Sequence, residues 1–220
     1  MDANEHSILP RTHSSLRVDL QLIADQVAPD TRVLDVGCGD GVLLAYLGKV
    51  KGVDGRGLEI AMPNVSTAVS QGLSVIQGNL ENDLKDYPAD TFDYVILSQT
   101  LQATHNPKAV LEDLLRVGKR AIVSFPNFGH WRVQLSLLLR GRMPATPTLP
   151  EAWFDTPNIH LCTILDFVAL CHELDITIEK GYALDAMGRE RVFSAIGRWA
   201  NLWSEQALFV LCRTQNIGSD

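Results

Sequence analysis

The sequence predicts an open α/β fold, with seven strands in a doubly wound, mostly parallel sheet. Three observations carry this. Strand-like and helix-like segments alternate over residues 32–125, as they do when parallel strands are joined by helical crossovers. The first strand runs directly into Asp35-Val-Gly-Cys-Gly-Asp-Gly41, where residues without Cβ let the backbone bend sharply and let a ligand come close. At the carboxyl end of a parallel strand, such a turn is where open α/β sheets bind nucleotide-like ligands. The chain then closes on two strand-like segments, 176–183 and 207–213, near enough in sequence to pair antiparallel.

Taken in order, Leu16, Leu20, Ile23 and Val27 recur at helical spacing and predict an amphipathic helix over 15–27, ended by Pro29-Asp30. A strand at 32–36 is followed by a helix at 41–47, a turn-rich passage over 48–55 and a short strand at 57–60. Pro63 suits the first turn of a helix reaching residue 71. Strands follow at 73–77 and 92–98. Within the latter, Tyr94-Val95-Ile96-Leu97 is apolar on both faces, as a central parallel strand should be. Pro107 opens a helix through Arg116, and 121–125 is the fifth strand. Little helical pattern is visible between the last two strands. Residues 140–163 form a proline-rich insertion holding Pro144, Pro147, Pro150 and Pro157 with Trp153, Phe154 and His160. Proline stiffens such a passage, and long ordered loops are often functional; a rigid cover over an open end of the sheet is the other reading. The whole of 1–220 reads as one domain.

Composition narrows the function. The chain has 220 residues, 46% hydrophobic and 20% charged, with a formal charge of −7. That balance argues against nucleic acid as the main partner, and the basic clusters Arg116, Lys119, Arg120 and Arg132, Arg140, Arg142 read as helix ends and solvated faces. Cys38, Cys162, Cys171 and Cys212 show neither Cys-x-x-Cys pairing nor metal-ligand spacing with histidine, so no metal is expected. Residues 1–15 are polar with no apolar signal core, and no apolar run nears membrane-spanning length. A reduced cytoplasmic setting, away from membranes, is the expectation.

The turn itself selects a ligand class. A dinucleotide fingerprint requires Gly-x-Gly-x-x-Gly, but here the third glycine comes one residue early and Val42 stands in its place. Asp35 and Asp40 are poor company for a diphosphate, and no Gly-Lys-Ser/Thr follows. An NAD-dependent oxidoreductase and a Walker loop are therefore disfavoured. Two carboxylates suit a cation. S-adenosylmethionine carries an ammonium group and a sulfonium and no phosphate, and Asp35 can pair with the ammonium by a charge-assisted bond. S-adenosylhomocysteine shares all but the sulfonium charge.

Other residues at the carboxyl ends of the strands complete the expected site. Gly37, Cys38 and Gly39 supply the turn. Glu59, roughly twenty residues further on, ends the second strand and can accept both ribose hydroxyls. Asn79 and Leu80 follow the third strand; Asn79 can both donate to and accept from adenine, or simply serve a turn, and Ile60 and Leu80 can sandwich the ring. Ser98 and Gln99 face the methionine portion or an acceptor, unless Ser98 only caps a turn and Gln99 faces solvent. His130, past the fifth strand with Asn127 and Trp131, is a candidate base; His105 and His160 are rivals.

Residues 32–41 with Glu59 resemble the class I S-adenosylmethionine-dependent methyltransferase fold. More closely, Val95-Ile-Leu-Ser-Gln-Thr-Leu-Gln102, Val117-Gly-Lys-Arg-Ala-Ile-Val-Ser-Phe-Pro-Asn-Phe-Gly-His-Trp131, Gly141-Arg-Met-Pro144 and Thr156-Pro-Asn-Ile-His160 resemble the MetW family of methionine-biosynthesis proteins, a likeness running over 16–182. That family usually has an acid where Asn79 stands. The resemblance implies a role beside a homoserine O-acyltransferase, whose succinyl transfer a MetW-like partner supports. An S-adenosylmethionine-binding accessory subunit and a methyltransferase acting on a small molecule are the two readings left open. The proline-rich passage near Trp153 and Phe154 is the expected docking surface for the partner, since aromatics on a stiffened loop suit a hot spot.

Overall fold

Apolar side chains on both faces drive a strand to the middle of a sheet, and Tyr94-Val95-Ile96-Leu97 sits there in the computed structural model, which describes residues 16–190 and 197–214. The elements run α1 (Val18–Gln26), β1 (Arg32–Val36), α2 (Val42–Lys51), β2 (Asp54–Glu59), α3 (Met62–Ser70), β3 (Ser74–Gln77), α4 (Leu80–Asp83), β4 (Phe92–Ser98), α5 (Pro107–Val117), β5 (Gly118–Pro126), α6 (Trp131–Arg140), α7 (Ile164–Glu173), β6 (Ile176–Leu184), α8 (Arg198–Trp203) and β7 (Gln206–Arg213). The seven strands form one sheet in the order β3-β2-β1-β4-β5-β7-β6. All neighbours from β3 to β5 pair parallel, and β7 alone runs antiparallel, between β5 and β6. The expectation for 1–15, including the polar leader and the first residue of the N-terminal helix, lies outside the described residues.

Alternation along each strand feeds two cores. Val95 and Leu97 of β4, Ala121, Val123 and Phe125 of β5, and Phe209 and Leu211 of β7 pack with Leu111 and Leu114 of α5 and Phe167 of α7. Tyr94, Ile96, Ile122, Leu208 and Val210 face the other way, against Ile23 of α1 and Leu43 and Leu47 of α2. Helices thus cover both faces, as a doubly wound sheet requires. Phe167 lies 4.7 Å from Phe125 and 4.9 Å from Phe209, ring centroid to centroid, and pins α7 to the sheet. No helix among the described residues is long and apolar enough to cross a membrane.

Two expectations need correction. Residues 48–55 are not a turn-rich passage: α2 continues to Lys51 and β2 begins at Asp54. Gly52 ends α2 in the left-handed region, while Gly55 and Gly57 serve packing. A Cβ on Gly57 would sit 2.6 Å from Cys38 Sγ and 2.8 Å from Val75 Cγ2, and one on Gly55 would sit 2.9 Å from Leu44 Cδ2. Only glycine lets β2 lie this close beneath α2. The stretch between the last two strands also holds a helix, α8, too short for periodicity to reveal. Three helices were not foreseen at all, the single turn of α4 and the longer α6 and α7. The capping box of Thr163 and Asp166 starts α7, and α6 ends at Gly141, whose φ is +59°.

Candidate functional site

The turn between β1 and α2 puts glycine where the backbone takes positive φ. Gly37 has φ +73°, and a Cβ there would meet Thr100 Oγ1 at 2.9 Å. Gly39 has φ +57° with open space beside it, so a side chain at 39 would project into the cleft it lines. The turn is stitched to β2: Gly37 N donates to Leu58 O (2.7 Å) and Gly39 N donates to Glu59 Oε2 (2.9 Å). The other Glu59 oxygen accepts from Ala61 N (2.8 Å). Glu59 is buried, and each carboxylate oxygen still has a lone pair beyond the backbone bond it accepts.

Two clefts meet at Gly37. The larger, about 420 Å³, is lined by Asp35, Gly39, Asp40, Ser98 and Gln99, with Arg17 from the start of α1. The smaller, about 220 Å³, is lined by Leu58, Ile60, Asn79, Leu80, Thr100 and His105. The structure therefore brings nine of the ten residues expected at a ligand site around these two adjoining spaces; Glu59 is the tenth, bonded behind the turn. Cys38 also lines the larger cleft, but its side chain packs with Leu44, Val65, Ala68 and Val75. Burial, then the carboxylates of Asp35 and Glu59, push its thiol up to about 12, which makes it no nucleophile.

Asp35 is the electrostatic centre. It is 3% exposed, and burial followed by the neighbouring Glu59 raises its carboxyl from 3.8 to about 7. An acid held so unfavourably beside a second acid is relieved by a cation in the cleft. The side-chain-free turn and this buried acid fit a cationic adenosyl ligand. Asp40 is exposed and its Oδ1 accepts from Val42 N (3.4 Å) at the start of α2. Asn79 caps α4, its Oδ1 accepting from Glu81 N (2.9 Å), which leaves the amide nitrogen as the end able to donate elsewhere.

Beyond β4 the chain turns sharply. Gln99 takes the left-handed region, φ 54°, without being glycine. Its N–H donates to Ser124 O (2.9 Å) and its Nε2 to Gln206 Oε1 (2.9 Å), which hold a conformation of a kind that is found at functional sites. Ser98 Oγ lies 3.2 Å from Ser124 Oγ. Gln102, buried, closes the turn by donating from Nε2 to Gln99 O (2.8 Å). Its backbone oxygen accepts from Ile159 N (2.8 Å) and His160 N (2.9 Å), so the cleft wall also anchors the proline-rich passage.

The three histidines do not converge. His105 stands at the smaller cleft with Nδ1 2.9 Å from Glu81 Oε2; that hydrogen bond, with backbone N–H donors from Asn106 and His105, holds the Glu81 carboxyl below its usual range. His160 is half-buried, its Nε2 3.4 Å from His105 O. His130 is buried, 3.9 Å from Glu205 Oε1, and lines neither cleft. Sequence reading passed over Thr100, Ala103 and Thr104 of the smaller cleft and Arg17 of the larger. Only their closeness to Ser98 or to the first helix hinted at them.

A family model described as "Methionine biosynthesis protein MetW" matches residues 17–211. The chain belongs to the MetW family. A relative from Rhodopirellula baltica, named "Bifunctional methionine biosynthesis protein MetXA/MetW", is 34% identical over 200 residues, 87% of this chain and 32% of its own length. A ribosomal protein L11 methyltransferase from Methylobacillus flagellatus is 26% identical over 66% of this chain and 45% of its own length. The chain thus spans about a third of the first relative and under half of the second. Among solved structures, an S-adenosylmethionine-dependent methyltransferase from Mesorhizobium loti superimposes with a TM-score of 0.63 at 15% identity, covering 88% of this chain and 95% of that one. Family and neighbours agree with the class I methyltransferase architecture of the sheet.

Proposed function

We propose that this MetW-family chain is an S-adenosylmethionine-binding subunit of methionine biosynthesis that supports a partner homoserine O-acyltransferase. The observation that carries the ligand is Asp35, a buried acid facing a cleft beside a turn where glycine leaves the backbone open. In this reading Asp35 receives the ligand's ammonium, Glu59 fixes the turn and accepts from the ribose, and Ile60 and Leu80 flank the base in the smaller cleft. Gln99 and Ser98 border the methionine end. The partner is supported by the relative whose name joins MetXA and MetW in one polypeptide. The ligand is a downstream product of the pathway, so a subunit that binds it can report its level to the acyltransferase, provided its affinity differs between the free and the complexed state.

Methyl transfer to a small molecule is the second reading. The ligand supplies an electrophilic methyl on a sulfonium, and a fold that orients the reacting groups needs no dedicated base for such a transfer. The fold shared with methyltransferases favours it. One paired assay separates the two. Purified protein receives labelled S-adenosylmethionine with a cell extract and, separately, the acyltransferase with succinyl-CoA and homoserine. Faster succinyl transfer without methyl incorporation is the expected result; label in a small molecule and an unchanged acyl-transfer rate would assign a methyltransferase instead.

A further inference from the structure

Helix α6 carries a heavy apolar load into solvent. Of its residues only Val133 is buried, while Leu135, Leu137, Leu138 and Leu139 are exposed, the last two at 80% and 72%. The helix passes through Gly141 into the proline-rich passage, and Ser136 Oγ donates to Arg142 O (3.1 Å) across the junction. That passage encloses an apolar groove of about 500 Å³ lined by Phe128, Met143, Leu149, Trp153, Ile159 and Leu161. Trp153 and Phe154 meet edge to face at 5.6 Å and are 74% and 68% exposed. Single apolar residues on a surface are ordinary, but four exposed leucines on one helix that leads into an apolar groove point to an interaction site.

We propose that α6 and the 141–161 passage form one docking surface, and that it receives an apolar segment of the acyltransferase partner rimmed by acidic residues. This rests on the accessory reading above. Two observations favour that occupant. In the Rhodopirellula baltica relative the matching sequence occupies 32% of a longer polypeptide named for MetXA as well as MetW, which keeps two modules side by side. Arg132 and Arg140 also stand at the two ends of α6 and Arg142 just past it, although the chain as a whole carries −7. An acidic rim on the partner complements those arginines. A second copy in a two-fold contact would set the same arginines against one another. The end of the passage is held by the bonds of Ile159 N and His160 N to Gln102 O, and its exposed aromatics Trp153 and Phe154 are of the kind that serve as hot spots.

The experiment compares the parent protein with a Leu138→Glu, Trp153→Ala double variant. Calorimetry measures affinity for the purified acyltransferase and for S-adenosylmethionine, and sedimentation measures self-association. Both substitutions are at exposed positions, and retained S-adenosylmethionine binding reports an intact fold. The expected result is a partner affinity weaker by about a hundredfold, with ligand affinity within about twofold of the parent's. Equal partner affinity in the two proteins overturns the surface while leaving the accessory role standing. Self-association of the parent that the variant abolishes, with partner affinity unchanged, assigns the surface to a second copy and also overturns the proposal. A parent that does not bind the acyltransferase brings down the accessory reading, and the surface with it.

Discussion

Folding makes the carboxyl of Asp35 a weaker acid. Burial and the neighbouring Glu59 raise it from 3.8 to about 7, and the sign of the consequence is fixed by linkage. Below 3.8 both folded and unfolded chains hold the proton, and Asp35 does not oppose folding. Between 3.8 and about 7 the unfolded chain releases it while the folded chain keeps it, so stability declines as pH rises; above about 7 the loss is complete. Asp35→Asn therefore stabilises the ligand-free protein at pH 8 relative to the parent, by as much as a few kcal/mol, and the gain shrinks toward pH 4. Denaturant titrations at the two pH values check this. The same variant loses S-adenosylmethionine affinity. If Asp35 is the ammonium's partner as proposed, affinity in the parent is expected to fall below pH 7 by up to about tenfold per unit as the carboxyl becomes protonated, and calorimetry on Asp35→Asn is expected to show a flat profile. Glu59→Ala removes the acceptor for Gly39 N and Ala61 N as well as the proposed ribose contact, and binding weakens by about 1.5–3 kcal/mol; unchanged affinity by calorimetry removes Glu59 from the site. Asp35, the glycines and Glu59 were legible because their spacing along the chain is the signal. Thr100 and Ala103 were not, since what brings them to the cleft is a tight turn behind β4 that leaves no periodic trace.

At the scale of elements, the strands were easier to read than the helices. The central strand β4 is apolar on both faces, the parallel strands are short, and they alternate with helices along the chain. Helices α6 and α7 went unread for opposite reasons: α6 exposes its leucines, so its pattern does not mark a buried face, while α7 lies just past a proline-rich stretch that draws attention away from its capping box. Thr163→Ala removes the side chain that accepts from Asp166 N and costs about 1 kcal/mol, measurable as a lower denaturation midpoint. Gly55 misled because glycine reads locally as a turn, whereas here Leu44 of the neighbouring helix leaves room for nothing larger; the turn itself is confined to Gly52, φ +65°, at the end of α2. Gly57→Val should overpack Cys38, Val75 and Leu44 and destabilise by about 1–3 kcal/mol; a denaturation midpoint equal to the parent's would show that the layers can part without penalty.

For the molecule as a whole, ligand and fold are linked by mass action. Saturation at about 100 times the dissociation constant stabilises the folded state by about 2.7 kcal/mol, so under the proposed function S-adenosylmethionine is expected to raise the melting temperature of the parent. Gly39→Val meets no neighbour within 4 Å but puts a branched side chain into the cleft at φ +57°. The variant is expected to fold with a somewhat lower melting temperature and to show no ligand-induced rise; a full rise would place the ligand away from the turn. The bonds from Gln102 O to the backbone of Ile159 and His160 have a further implication. Gln102 belongs to the turn whose other residues, Thr100 and Ala103, line the smaller cleft, so under the proposed function this turn joins the metabolite's cleft to the partner's docking passage. If loading one side tilts it, thermodynamic reciprocity makes the influence mutual: whatever factor the metabolite applies to subunit affinity, the bound subunit returns to metabolite affinity unchanged.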